Sequence, residues 1–211
     1  MLPRLYAVCD AEVCARAGWT LADCAAACVD GGATLLQLRA KHLGSRDFLA
    51  AASAVVARAG TGRAQVVIND RADIARLAGA AGVHVGQDDL APVDVRTVVG
   101  AAATVGLSTH TLAQLDAAMG EPVNYVAVGP VFTTTTKDTG YEAAGLDLVR
   151  EAAGRAAPRS LPVVAIGGIT LERCADVIAA GAASVAVIND LFVTNDPAAR
   201  VRAFLDRLSR V

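Results

Sequence analysis

Short apolar segments alternate along the whole chain with alanine-rich segments of helical periodicity, and this alternation constrains the fold most. The apolar segments are short and mostly uninterrupted, which is typical of parallel strands buried on both faces. Strands are predicted over Leu5–Val8, Thr34–Leu38, Gln65–Ile68, Gly82–Val85, Thr104–Leu107, Tyr125–Val128, Pro162–Ile166 and Ser184–Ile188. Helices are predicted over Leu21–Val29, Arg46–Ala59, Asp73–Leu77, Val93–Val98, Leu112–Met119, Leu146–Ala153, Leu171–Ala180 and Pro197–Leu208.

Repeated strand–helix units of this kind predict an α/β fold, a single-domain (β/α)8 barrel. The chain has 211 residues, which is short for that fold and requires tight loops. An open, doubly wound parallel sheet is the alternative. Because no Pro/Ser-rich linker divides the sequence, we expect one domain over residues 1–211.

The composition excludes several classes of protein. Hydrophobic residues make up 54% and charged residues 19% of the chain, which argues against disorder as the dominant state. The net charge of −2 argues against a nucleic-acid binder, which usually carries a basic face. The sequence has no apolar run that could span a bilayer, and its first residues lack the order of a signal peptide. We therefore expect a cytoplasmic protein without membrane or nucleic-acid partners, and a homo-oligomer stays open.

The five cysteines are an odd number, which disfavours a disulfide framework. Cys24 and Cys28 have helical i, i+4 spacing, but no histidine lies near enough in sequence to complete a zinc motif. We expect all five to be small buried hydrophobic residues.

In a barrel of this type the active site lies at the carboxyl ends of the strands. After the second strand, Gln37, Arg39 and Lys41 alternate with apolar residues and so project to one side. An amide and two cations in a row suit a phosphate or diphosphate group. A solvated strand end is the alternative interpretation.

Carboxylates follow the next two strands. Asp70 follows the third strand and Asp89 the fourth, so both are expected at the same mouth. Beside phosphate-binding cations, two carboxylates suggest a Mg²⁺ site. The alternative is that each carboxylate caps the helix that follows it.

Further candidate ligands follow the later strands. Ser108 is a possible donor to an anion, and His110 is either an acid–base group or a structural histidine. The loop Thr133–Asp138 offers hydroxyls and Lys137, which suit an oxyanion, although a flexible polar loop is the alternative. Gly167 and Gly168 expose backbone N–H groups near Asn189, where barrels of this type often bind phosphate.

Taken in order, these segments resemble the thiamin phosphate synthase family. The resemblance extends from Leu35 to about Leu191 and rests on the ordered set rather than on any one segment. The matching segments are Gln37–Lys41, Ile68–Ala75, Gly82–Leu90, Ser108–His110, Gly129–Phe132, Thr134 with Thr136 and Lys137, and Val164–Ile169.

The resemblance implies a transferase of thiamin biosynthesis that joins hydroxymethylpyrimidine diphosphate to hydroxyethylthiazole phosphate and releases diphosphate, with Mg²⁺ as cofactor. It implies a dissociative substitution, in which diphosphate leaves before the thiazole nitrogen attacks. By resemblance, the catalytic residues at the leaving group are Arg39, Lys41, Ser108 and Lys137, and the metal ligands are Asp70 and Asp89. The substrate contacts it implies are Gln37, His84 and Ser108 at the pyrimidine, Arg39, Lys41, Asn69 and Lys137 at the diphosphate, and Thr134, Thr136, Gly168, Ile188 and Asn189 at the thiazole phosphate.

Three positions depart from the family pattern. Ala40 replaces a frequent acidic residue, Thr133 a usual proline and Asn189 a common serine. These departures bear on substrate affinity more than on the type of reaction. Two other functions stay open: a metal-independent tautomerase of a thiazole carboxylate phosphate, and a catalytically silent phosphate-binding barrel. Both metal-site carboxylates and the Arg39–Lys41 segment favour the synthase.

Overall fold

The computed structural model describes residues 2–62, 64–134 and 140–211. Within these residues the strands form one closed parallel barrel, in which each strand pairs with the next and β8 pairs with β1. The barrel confirms the predicted fold class. The strands are β1 (Leu5–Asp10), β2 (Leu35–Arg39), β3 (Gln65–Asn69), β4 (Gly82–Val85), β5 (Thr104–Thr109), β6 (Tyr125–Val128), β7 (Val163–Ile166) and β8 (Ser184–Val187).

Helices follow the strands and cover the outside of the barrel. They are α1 (Ala11–Arg16), α2 (Leu21–Asp30), α3 (Ser45–Gly62), α4 (Ala72–Ala78), α5 (Pro92–Val99), α6 (Leu112–Ala118), α7 (Gly145–Ala156), α8 (Cys174–Ala179) and α9 (Pro197–Leu208). None of the helices in the described residues is long and apolar enough to cross a bilayer.

Alternation along each strand separates two apolar layers. In β2, Leu36 and Leu38 pack outward against the helices, while Leu35 belongs to the cluster inside the barrel. Gln37 also faces inward, because its amide bonds the interior Tyr6. The predicted alternation after the second strand is therefore confirmed for Gln37 and its two leucine neighbours.

The sequence-based prediction missed α1, because six residues are too few to show helical periodicity. The helix begins directly after β1, where the Asp10 carboxylate accepts hydrogen bonds from the backbone N–H groups of Glu12 and Val13 at 3.1 and 3.0 Å. Helix α8 begins at Cys174 rather than at the predicted Leu171, since residues 171–173 form a turn. The Thr111 side chain caps α6 by accepting a hydrogen bond from the backbone N–H of Gln114.

Candidate functional site

A cavity of about 340 Å³ opens at the carboxyl ends of the strands. Each strand of the barrel reaches it, so residues far apart in sequence meet there. Predicted site residues that line the cavity are Gln37, Arg39, Asn69, His84, Ser108, Thr134, Gly168, Ile188 and Asn189. Thr136 and Lys137 lie outside the described residues.

Side chains on five strands, four of them buried and Ser108 half-buried, form a continuous hydrogen-bonded row, which we call the polar row. The Gln37 amide Nε2 donates to the Tyr6 hydroxyl at 2.9 Å, and the Tyr6 and Tyr125 hydroxyls are 2.9 Å apart. The Tyr125 hydroxyl lies 2.9 Å from His84 Nδ1. His84 Nε2 lies 2.8 Å from Ser108 Oγ, which completes the row at the cavity wall.

One set of hydrogen-bond directions gives every donor of the row an acceptor. The Tyr6 oxygen already accepts from Gln37, and among the described groups the Tyr125 oxygen is the acceptor for the Tyr6 proton. In this arrangement Tyr125 donates to Nδ1 of His84, and the histidine proton is on Nε2. This proton is donated to Ser108 Oγ, so the serine hydroxyl proton is directed to an acceptor other than His84.

Both tyrosines were overlooked as site residues, since in sequence each lies in an apolar strand. Burial raises the pKa of the Tyr6 and Tyr125 phenols, so both remain neutral donors at physiological pH. The Tyr125 ring also stacks on the His84 imidazole, with centroids 5.5 Å apart and planes inclined by 18°. A β-carbon at Gly106 would lie 2.1 Å from Cζ of Tyr125, so this ring occupies space that any side chain at position 106 would fill.

Two cations lie at or just beyond the end of β2, and each is paired with a carboxylate. Arg39 lines the cavity, whereas Lys41, Asp70 and Asp89 lie outside its lining, at what we call the rim. Arg39 pairs with the buried Asp10, and Lys41 pairs with Asp70. Asp10 was not predicted as a site residue; it ends β1, caps α1 and orients the Arg39 guanidinium. Lys41 and Asp70 are more open, with 39% and 17% of their side chains exposed.

Asp70 and Asp89 come together, as the positions after neighbouring strands suggested. Desolvation raises the pKa of Asp70, Lys41 lowers it, and the hydrogen-bonding Asp89 carboxyl raises it again, with a net increase. Asp89 also accepts from the backbone N–H of Gly86 at 2.7 Å. Two adjacent carboxylates at an open rim are oxygen donors that suit a hard divalent cation.

The helix-cap alternative for these two carboxylates is wrong. Helix α4 is preceded by Arg71, whose side chain makes no capping hydrogen bond, and α5 is preceded by Ala91. The Asp70 backbone adopts a left-handed conformation, with φ of 61°, which is uncommon for a residue other than glycine. Such a conformation often occurs at functional sites.

The opposite wall of the cavity is built from backbone and one cation. Gly167 and Gly168 have φ of 105° and 60°, and a β-carbon at Gly168 would lie 2.5 Å from the Thr133 carbonyl oxygen. Arg173, which sequence reasoning missed, donates to the Gly168 carbonyl at 3.3 Å and lies 4.6 Å from the centre of the Phe132 ring. Its guanidinium gives this wall a positive charge.

His110 also lines the cavity, but its hydrogen bonds anchor it. Nδ1 lies 2.7 Å from the Gly129 carbonyl oxygen and must carry a proton, because a carbonyl only accepts. The ring stacks on Tyr141 with centroids 4.6 Å apart. These contacts favour the structural alternative for His110.

Comparison with known proteins gives one consistent result. Residues 5–191 match the family model described as thiamine monophosphate synthase. The chain is 47% identical to a thiamine-phosphate synthase of Koribacter versatilis over 98% of this chain and 96% of the relative. It is 42% identical to a thiamine-phosphate synthase of Methanoculleus marisnigri over 97% of this chain and 95% of the relative.

Comparison with solved structures also finds the (β/α)8 barrel. A thiamine phosphate pyrophosphorylase from Pyrococcus furiosus superposes with a TM-score of 0.87, covering 98% of this chain and 96% of the other. The sequences of this pair are 23% identical, so the likeness concerns the barrel.

Proposed function

The chain belongs to the thiamine monophosphate synthase family and acts as a transferase that forms thiamin phosphate, and we propose how its cavity performs this reaction. The two substrates are hydroxymethylpyrimidine diphosphate and hydroxyethylthiazole phosphate, and the products are thiamin phosphate and diphosphate. We place the reaction in the cytoplasm, in a single domain over residues 1–211. The binding partners are these small molecules, and the protein is either a monomer or a homo-oligomer.

The pyrimidine is assigned to the end of the cavity where the polar row ends. Gln37, His84 and Ser108 provide amide, imidazole and hydroxyl groups there, and the row fixes their orientation. The pyrimidine carries ring nitrogens that accept hydrogen bonds and an exocyclic amine that donates them, so it needs protein donors and acceptors with fixed directions. The Ser108 proton is available to the leaving-group side of this ring.

The diphosphate is assigned to the cationic rim. Arg39 offers a planar fork and Lys41 a point charge, with Asn69 as a neutral donor between strands β2 and β4. Lys137, outside the described residues, is proposed as a further cation of this group. Together with Ser108, these residues stabilise the negative charge that grows on the departing diphosphate.

Asp70 and Asp89 are proposed to hold Mg²⁺ beside the diphosphate. The fit rests on the adjacent pair of carboxylates, the open rim and the Lys41 cation already attracted to Asp70. When bound, the metal would neutralise charge on the leaving group. With Asp70 engaged in this way, Lys41 would contact a phosphate oxygen instead.

The thiazole phosphate is assigned to the opposite wall, at Thr134, Thr136, Gly168, Ile188 and Asn189. Gly167 and Gly168 have positive φ values, and with no side chain at either position the backbone can approach a ligand closely. Its N–H groups can then bind phosphate. If these N–H groups make the contact, Asn189 in place of serine is tolerated.

The chemistry requires little from a protein base. Loss of diphosphate leaves a positively charged methylene on the pyrimidine, which its amino group stabilises, and the thiazole nitrogen then forms the new C–N bond. The apolar side chains of Ala127, Val164 and Ile166 line the cavity between the two ends. They exclude water from the cation and hold the rings close to each other.

The single observation that carries this proposal is the placement of the polar row and the cation–carboxylate rim at the same mouth. The test combines purified protein, both substrates and Mg²⁺, and follows thiamin phosphate and diphosphate together. We expect equal amounts of both products and loss of both after chelation. Metal-independent isomerisation of thiazole carboxylate phosphate, without either product, would instead favour the tautomerase alternative; folded protein that performs neither reaction would favour the silent binder.

A further inference from the structure

Away from the cavity, buried cysteine side chains gather between the barrel and its first two helices. Cys9 lies on β1, and Cys24 and Cys28 lie one turn apart on α2. Their sulfur atoms all lie within 4.8 Å of one another, and each side chain has no exposed surface. We call these three residues the thiol cluster.

A fourth sulfur adjoins the thiol cluster. Cys14 lies on α1 and is fully buried, and the neighbouring Cys24 thiol raises the pKa of the Cys14 thiol. The Cys24 sulfur also lies within 4.8 Å of the sulfurs of Cys9 and Cys28, so Cys24 connects Cys14 to the thiol cluster. All four are free thiols rather than disulfides.

The spacing of the sulfurs is close to that of a metal–thiolate site. Zinc–sulfur bonds of about 2.3 Å place tetrahedral sulfur ligands about 3.8 Å apart. The three sulfurs already lie within 4.8 Å of one another, so they need to approach by at most about 1 Å to reach this separation. The surroundings exclude water as a ligand, which is typical of a closed structural site.

We propose that Cys9, Cys24 and Cys28 form a buried thiolate site for a soft d¹⁰ cation, with Cys14 as the nearest fourth ligand. Four sulfurs favour tetrahedral Zn²⁺, while three favour Cu⁺. Binding is a ligand exchange in which each coordinating thiol gives its proton to water and forms a metal–sulfur bond, with no change of oxidation state. Since the site is fully buried, the ion enters during folding or local opening.

The role of such a site follows from its position. It would join β1, α1 and α2, and α1 is only six residues long. Cys9 immediately precedes Asp10, which holds Arg39 at the cavity rim. The ion would therefore stabilise the segment that orients a substrate-binding cation without taking part in the reaction.

The first experiment measures metal in the intact protein. The protein is unfolded with reductant and chelator, refolded with Zn²⁺, Cu⁺ or no metal, and freed of unbound ions before elemental analysis. We expect about one ion per chain and a higher melting temperature with the metal. Retention of Cu⁺ alone would support the three-thiolate form; retention of neither ion would overturn the proposal.

Variants test the ligands. Cys24→Ala should lose both the bound ion and the metal-dependent rise in melting temperature. Cys174→Ala is the matched control, because Cys174 is equally buried but lies on α8 with its thiol directed to the Leu171 carbonyl. Equal metal retention by both variants would contradict the assignment.

A spectroscopic measurement covers the case in which Cys24→Ala does not fold. X-ray absorption at the metal edge of the parent protein should show only sulfur neighbours, at about 2.3 Å for Zn²⁺. Nitrogen or oxygen neighbours would place the ion elsewhere and overturn the proposal.

Discussion

The Tyr125 hydroxyl lies 2.9 Å from Nδ1 of His84 at the cavity wall, and we infer that this bond selects the tautomer of the histidine. In the arrangement that gives every donor of the row an acceptor, Nδ1 accepts the phenolic proton, and Nε2 carries the imidazole proton and donates it to Ser108. A residue without direct access to the cavity thereby controls which way a cavity hydroxyl donates. Tyr125 is a positioning residue in this sense.

Tyr125→Phe tests this control. The change leaves the Tyr6 proton and His84 Nδ1 without their partner, so we expect a loss of about 1–3 kcal/mol in the free energy of unfolding. It also permits the other His84 tautomer, which would turn the Ser108 proton toward the ring. We expect kcat/KM to fall about tenfold, equivalent to about 1.4 kcal/mol.

Nitrogen NMR of His84 separates this role from a purely structural one. The parent should carry the proton on Nε2, and the variant should show Nδ1 protonation. Tyr141→Phe is the control, because it removes a surface phenol while retaining the ring on His110. An unchanged tautomer together with unchanged kcat/KM in Tyr125→Phe would refute the assignment.

A pair of variants at Asp10 separates helix capping from orientation of Arg39. Asp10→Asn keeps an oxygen that can cap α1 but removes the negative partner of Arg39. Asp10→Ala removes both, and loss of the cap should cost about 1 kcal/mol more in unfolding free energy. We expect both variants to lower kcat/KM for the pyrimidine diphosphate to a similar degree, measured by steady-state kinetics. Parent-like kinetics in Asp10→Asn would show that the ion pair does not orient Arg39 for the reaction.

Asp70→Asn and Asp89→Asn test the proposed metal ligands. Each variant loses one anionic oxygen ligand, so the Mg²⁺ concentration for half-maximal activity should rise at least about tenfold. The fold should persist, since removal of one carboxylate also relieves repulsion between the two. Magnesium titrations with circular dichroism measure both effects. Asp147→Asn, at a fully exposed carboxylate on α7, is the control; an unshifted titration in both site variants would remove the metal assignment.

Arg173→Met tests the charge at the opposite wall. Methionine keeps an apolar stem over Phe132 and removes the guanidinium. We expect KM for the thiazole phosphate to rise several-fold with little change in kcat, because the charge binds the phosphate before and during the reaction alike. Arg150→Met on the exposed surface of α7 is the control. A KM equal to the parent's would exclude Arg173 from phosphate recognition.

The positions of the strands were predictable from local apolar runs. The side of the sheet to which residues at the strand ends point was predictable from the alternation of polar and apolar residues. The placement of Gln37 and the meeting of Asp70 and Asp89 follow from these rules. The polar row was not predictable, since Tyr6 and Tyr125 are separated by 119 positions in sequence. Whether two interior tyrosines lie at the same level inside the barrel depends on the register shift between neighbouring strands, which cannot be derived from a single sequence.

The close approach of Gly106 to Tyr125 predicts that the two positions are coupled among relatives. A β-carbon at position 106 would lie 2.1 Å from the tyrosine ring, so the glycine and the tyrosine cannot drift independently. Relatives that lose the ring gain room for a side chain at position 106, and relatives that acquire a side chain there must first give up the ring. The two columns of a family alignment should therefore covary, and sequences that carry both a tyrosine and a larger neighbour should be rare.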